Sequence, residues 1–323
     1  MKYPFDLDVR PDGYAPLECE PVFDPNVHLA LEKPTDVYSL HDLGYDPEEV
    51  AQCPTEFAAT SVFRVLSDEG AACLLDVCRQ LEAFTSSNPR ILRCTRGGVY
   101  RSKFLRDLCL SIEVAEFLSG IVGMDMMPHT ISHQLGHLNY APPTVGEDVD
   151  KWHVDTLRFD YVMFVTDPTK VKGGAFQYFK GTKHEMQGFK DRGEGVPHAR
   201  VIAPEMPGPG YAILQQGNMV VHQAKGLLEP GERITMVNGY IAADPNVPDY
   251  TRYDQLVFAD PPHVVTPEYV RHVSYMAERA LKVDTGFQPD RDVAASRLQI
   301  VSDLLANTAE QLRNVDQAKM EHF

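Results

Sequence analysis

The stretch WHVDTLRFDYVMFV, residues 152–165, decides how this chain can fold. A histidine and an aspartate two positions apart stand ahead of a run of aromatic and β-branched residues, a composition that favours strand over helix. Runs of the same kind lie on both sides of it: HTISHQLGHLNY (129–140), GAFQYF (174–179), YAILQQ (211–216), NMVVHQ (218–223) and RITMVNGYIAA (233–243). Gly and Pro separate them. Many short strands punctuated by turn residues predict a sandwich or barrel.

Outward from this core the texture changes. Residues 1–57 are rich in Pro, Asp and Tyr without a sustained period and read as an arm or irregular cap. A strand-like run, Ser61 to Leu66, opens the core, and Leu74, Leu75, Cys78 and Leu81 then recur at helical spacing up to about Phe84. A second helix is expected over Ile112 to Val122. After residue 245 helix returns: Thr266-Pro267-Glu268 has the cap-then-proline order of a helix start, and Val293, Leu298, Val301, Leu304, Leu305, Leu312 and Val315 form a stripe over about 290–316. That stripe either packs on the chain's own barrel or serves self-association. The expected organisation is an arm (1–57), a β core with N-terminal helices (58–245) and a helical extension packed on it (246–323).

Composition narrows the class. The 323 residues are 43% hydrophobic and 24% charged, enough apolar material for a sizeable core. A formal net charge of −16 argues against binding nucleic acid or an anionic membrane surface. No apolar stretch approaches the roughly 18 residues of a membrane span, and the first residues lack the apolar core of a signal peptide. Cys19, Cys53, Cys73, Cys78, Cys94 and Cys109 are scattered without a CxxC pair, which suits reduced thiols. A cytoplasmic protein, monomer or homodimer, is expected.

On a strand, residues i and i+2 point the same way, so His153 and Asp155 can converge on one point. A third ligand must come from elsewhere, and His222 in QGNMVVHQA lies in another strand-like run. Two imidazoles and one carboxylate on one face of an octahedron suit non-haem Fe(II) and leave positions open. Taken alone, an HxD pair also suits a polar strand end, and His222 a hydrogen-bonded core histidine. Arg233 and Thr235 share a strand face downstream, and a guanidinium beside a hydroxyl suits the distal carboxylate of a diacid. If Glu229-Pro230-Gly231-Glu232 closed a simple hairpin, His222 would pair near Gly239 and Arg233 would lie roughly 20 Å away. Cooperation therefore requires the chain to cross to a facing sheet after His222.

His153-x-Asp155, His222 and Arg233-x-Thr235 resemble the Fe(II)/2-oxoglutarate-dependent oxygenases. WHVD, GGAFQYFKGTKHEM and QQGNMVVHQA are similar to their phytanoyl-CoA dioxygenase-like branch, over about residues 60–243. The pattern departs at Lys180-Gly181-Thr182-Lys183-His184, where Lys and Thr replace the usual Pro and Ser. The resemblance implies a double-stranded β-helix (jelly-roll, cupin-like) core with flanking helices. It also implies His153, Asp155 and His222 as iron ligands, Arg233 with Thr235 as the 2-oxoglutarate anchor, O2 as oxidant and ascorbate as a supporting reductant. Halogenating members carry a small residue where this chain has Asp155. The intact carboxylate points to hydroxylation, desaturation or cyclisation.

Substrate clues are fewer. Arg90, Arg93, Arg96, Arg101, Lys103 and Arg106 cluster in an acidic chain, and one or two could reach the barrel mouth to hold a carboxylate, Arg101 being the expected one. His133, His137 and Asn139 share one face of a predicted strand and could line the pocket. The expected partner is a small carboxylate-bearing metabolite such as an amino acid or a natural-product intermediate. A cupin-type isomerase, or a dioxygenase that does not use 2-oxoglutarate, could use the same three ligands but has no need of Arg233 and Thr235. His133-Gln134-Leu135-Gly136-His137 lacks the glutamate and the helix of a zinc-protease motif.

Overall fold

A computed structural model describes residues 3–282, 290–315 and 323. Its strands are β1 (Val37–Ser39), β2 (Phe57–Thr60), β3 (Phe63–Arg64), β4 (Cys94–Thr95), β5 (Met126–Pro128), β6 (His137–Tyr140), β7 (Asp150–His153), β8 (Phe159–Phe164), β9 (Phe176–Phe179), β10 (Val201–Ile202), β11 (Tyr211–Gln215), β12 (His222–Ala224) and β13 (Ile234–Ala242). They form two antiparallel sheets. The larger has the order β1-β2-β11-β8-β13-β6-β4, with β3 on β11 and β5 on β13; the smaller is β10-β9-β12-β7.

From β6 onward the chain alternates between sheets: β7 in the small one, β8 in the large, β9 and β10 small, β11 large, β12 small, β13 large. This winding is a double-stranded β-helix, the architecture expected from the sequence. The crossing after His222 is present as well. His222 pairs with His153 and Tyr178, not with Gly239, which pairs with Asp160 on the opposite sheet.

Strand alternation sorts the residues. In β8, Phe159, Tyr161 and Met163 join an outer core, while Val162 and Phe164 join the core between the sheets. In β13, Ile234, Met236 and Tyr240 face outward and Val237 inward. The outer core is covered by the helices Asp68–Leu81, Lys103–Cys109 and Ile112–Val122, capped by Ser67, Ser102 and Ser111. The N-terminal segment is fastened to the barrel: β1 extends the large sheet, Leu40 and Tyr45 enter the inner core, and the Tyr45 hydroxyl donates to the Met219 carbonyl at 2.6 Å.

Three local expectations are corrected. The run 129–140 is not one strand: Ser132–Gln134 forms a 3-10 turn, Gly136 turns left-handed at φ 56°, and only His137–Tyr140 is extended. His133 therefore does not share a face with His137 and Asn139. In the run 218–223 only its end is strand, beginning at His222. The helix expected to open at Thr266 begins earlier, as Pro262–Leu281, and runs through Pro267. Pro262 already fills the tolerated first-turn position. The bond that Pro267 cannot donate is offset by burial of Val264, Val265, Tyr269 and Val273. The last helix, Arg291–Arg313, packs Leu304 and Leu312 against Tyr253, Leu256 and Tyr269, so that part of the stripe is covered by its own chain. No helix among the described residues is long and apolar enough to cross a membrane.

Met163, fully buried where β8 lies between β11 and β13, tests the outer core. Met163→Ala should cost about 2–5 kcal/mol. Denaturant unfolding should show a lower midpoint with an unchanged slope.

Candidate metal centre

β7 ends at His153 and β12 opens at His222, directly opposite it, with ring centroids 4.2 Å apart. Asp155 lies just past the strand, where its N–H donates to the Gly217 carbonyl at 2.9 Å. That bond turns its carboxylate back between the rings. Oδ2 is 3.2 Å from His222 Nε2, and Oδ1 is 3.6 Å from His153 Nε2. A Cβ at Gly217 would meet Asp160 Oδ1 and lie 2.9 Å from Asp155 Oδ2, so a side chain here would displace both carboxylates.

The hydrogen bonds on the other ring nitrogens decide what these histidines can do. His153 Nδ1 donates to the Lys151 carbonyl at 2.6 Å, and His222 Nδ1 to the Val220 carbonyl at 2.9 Å. A carbonyl only accepts, so both Nδ1 atoms carry protons, and in the neutral rings both Nε2 lone pairs face Asp155. Burial, then Arg90, holds the His153 pKa below its ordinary value. Burial works against the Asp155 anion, but His222 and His153 hold its pKa well below the carboxylate range. Burial likewise opposes the His222 cation, and Asp155 raises its pKa on balance. The three atoms are poised for a cation.

Around them lies a charged shell. Arg90 holds Asp150 at 2.9 Å and Asp155 at 3.3 Å, bracing the carboxylate from behind. Asp160 points inward from β8 and takes a bond from Gln215 Nε2 at 3.1 Å, and its Oδ1 has no partner. Burial and the neighbouring Asp155 push its pKa up to about 8. Arg90 was visible in the sequence only as one of a basic cluster. Asp150, Asp160 and Gln215 were missed, although an aspartate inside the otherwise apolar run FDYVMF is a signal for the second of them.

Arg233, 2% exposed, enters the barrel just ahead of β13. Its Nε donates to the Gly174 carbonyl at 2.7 Å and its Nη1 to Thr235 Oγ1 at 3.2 Å. The guanidinium lies 5.2 Å from the centroid of the Phe164 ring, and its Nη2 has no partner. No carboxylate pairs with it among the described residues, and burial pulls its pKa down to about 10. Thr235 lines the same cavity as His153, Asp155 and His222. His137 and Asn139 line it too, with His137 Nδ1 and Asn139 Oδ1 unpartnered. Arg101 does not come near: it donates to the carbonyls of Gly13 and Ala15 and stacks on Tyr14 and Phe84, fastening the N-terminal segment.

His129, Asp249 and His272 form a second His-Asp-His group. Its hydrogen bonds run the other way. The Ile131 N–H donates to His129 Nδ1 at 3.0 Å, so the proton of the neutral ring sits on Nε2, which donates to Thr251 Oγ1 at 2.9 Å. A metal at that nitrogen would leave the ring without a proton. His272 spans Thr130 Oγ1 at 2.6 Å and Asp249 Oδ2 at 2.7 Å. This group is a clamp between the barrel and the helix Pro262–Leu281.

No protein-family profile matches the sequence, and no curated protein does. Solved structures are similar at a distance. AviO1 from Streptomyces viridochromogenes Tue57 is 16% identical over 60% of this chain and 93% of its own, with a TM-score of 0.46. HygX from Streptomyces hygroscopicus, solved with nickel and 2-oxoglutarate bound, is 13% identical over 65% and 92%, with 0.44. EctD from S. alaskensis in its apo form is 17% identical over 69% and 83%, with 0.43.

The tautomer contrast has a direct consequence. Metal analysis after Fe(II) loading should find one equivalent per chain, lost in His153→Ala and retained in His272→Ala. Two equivalents in the wild type would contradict it.

Proposed function

We propose that this chain is a non-haem Fe(II)/2-oxoglutarate-dependent oxygenase of the phytanoyl-CoA dioxygenase-like kind. Its reaction is C–H oxidation of a small carboxylate-bearing metabolite, by hydroxylation, desaturation or cyclisation. The observation that carries the reading is Arg233: a buried guanidinium with an unpartnered Nη2, set in the barrel that gathers two histidines and one carboxylate within ligand distance of one another. An uncompensated buried cation is costly, and a carboxylate recovers that cost.

His153, Asp155 and His222 would hold the iron, which supplies the capacity to couple O2 to oxidative decarboxylation of 2-oxoglutarate. Lys151 and Val220 fix the two rings through their carbonyls, and Arg90 holds the Asp155 carboxylate in place. Arg233 and Thr235 would hold the distal carboxylate of 2-oxoglutarate. Asn139 lies opposite Thr235 in the β6–β13 register, which suits it to the cosubstrate as much as to the substrate. The adjoining cavity has a volume of about 80 Å3. A cupin-type enzyme that does not use 2-oxoglutarate leaves Arg233 without a role.

The test is succinate formation from 2-oxoglutarate with Fe(II), ascorbate and O2, with and without a panel of small acids. The wild type should form succinate and Asp155→Ala should not. Arg233→Ala should need about 10- to 100-fold more 2-oxoglutarate, the scale of one charge-assisted hydrogen-bonded contact. Absence of succinate under every condition, with iron bound, would contradict the proposal.

A further inference from the structure

Next to the metal centre lies a second cavity, and Arg90, His137 and Asp155 line both. Its outer wall is the helix Tyr253–Ala259. Two arginines line it. Arg90 is matched by Asp150 and Asp155, whereas Arg96 forms no ion pair among the described residues. Arg96 donates from Nη1 to Gln134 Oε1 at 2.8 Å, and its buried Nε has no partner.

We propose that Arg96 is the receptor for a carboxylate of the prime substrate, and that Gln134 and Asp260 position it. The inference deepens the oxygenase reading and rests on it for the identity of the neighbouring centre. Three features support it. With Nη1 held by Gln134, the Nε and Nη2 edge of the guanidinium is left as a planar two-donor fork, the shape that matches a carboxylate. The orientation of Gln134 is not ambiguous, because its Nε2 donates to Asp260 Oδ2, and a carboxylate can only accept. Its carbonyl must then face Arg96. Asp260, 4% exposed, has its Oδ1 3.1 Å from His133 Nδ1 without a hydrogen bond between them, and His133 Nε2 meets the Tyr14 hydroxyl at 2.7 Å.

Asp260 also closes the wall helix, its backbone N–H donating to the Leu256 carbonyl at 3.0 Å. One buried residue therefore ends the wall helix through its backbone and, through its carboxylate and Gln134, orients the cation inside the cavity. Gln134 and Asp260 are positioning residues, since neither needs to touch the substrate.

The experiment uses the full chain with Fe(II) and saturating 2-oxoglutarate, kept anaerobic so that nothing turns over. Small monocarboxylates, from acetate and benzoate to proline, are titrated against their carboxamides by calorimetry. The same series is run on Arg96→Gln, Arg96→Lys and Gln134→Leu, with the melting temperature of each recorded to confirm folding. At least one acid should bind the wild type about 10- to 100-fold more tightly than its amide. Arg96→Gln should erase that preference, Arg96→Lys should restore part of it, and Gln134→Leu should weaken acid binding while leaving the amide unchanged. Equal binding of acid and amide, no acid binding at all, or an undiminished preference in Arg96→Gln would overturn the proposal. If 2-oxoglutarate fails to bind the Fe(II) form, the oxygenase reading falls. The acid-against-amide comparison on the metal-free chain still decides the role of Arg96.

Discussion

The direct pairing of His222 with His153 across β12 and β7 is the contact on which the site depends. It brings two imidazoles together from opposite ends of the barrel sequence. It also leaves β12 paired on both sides, by β9 and β7, so the chain has to leave the small sheet and cross to β13. That crossing carries Arg233 and Thr235 to the facing sheet and turns Thr235 into the triad's cavity. A hairpin after His222 would have kept the same residues and destroyed their convergence.

The second constraint is electrostatic. Asp150, Asp155 and Asp160 are gathered around a single arginine, Arg90, in a barrel interior that disfavours charge. Arg90 compensates two of the three, and Asp160 is pushed toward its neutral form by burial and by Asp155. The interior is thus rich in acceptors on one side, and on the other it carries a guanidinium, Arg233, with no carboxylate. A divalent cation answers the first imbalance and a dicarboxylate the second. A hydrogen-bonded core built for stability alone has no reason to separate charge in this way.

Much of this was legible in the sequence, and the reasons differ by residue. The strands β8 and β13 announced themselves because alternating faces and β-branched residues are local properties. The pair His153 and Asp155 was legible because extended spacing puts both on one side. Arg90 and Asp260 were not, because ion pairs with Asp155 and His133 join segments far apart in the chain, which spacing cannot encode. Gly136 broke the expected strand face of His133, His137 and Asn139 by adopting a left-handed turn inside an otherwise strand-like run. Thr266-Pro267 misled for a different reason: tertiary burial outweighed a local stop signal. The second His-Asp-His group shows the limit of residue type itself, since only the direction of its hydrogen bonds separates it from the first.

The central claim is that one centre binds both iron and a diacid through residues from the two facing sheets. An anaerobic titration of 2-oxoglutarate into the Fe(II)-loaded protein, followed by visible charge-transfer absorption, addresses it most directly. The wild type should show a saturable band, absent in His153→Ala and displaced to higher 2-oxoglutarate concentration in Arg233→Ala. A wild-type protein that holds Fe(II) but shows no band at any concentration would contradict it.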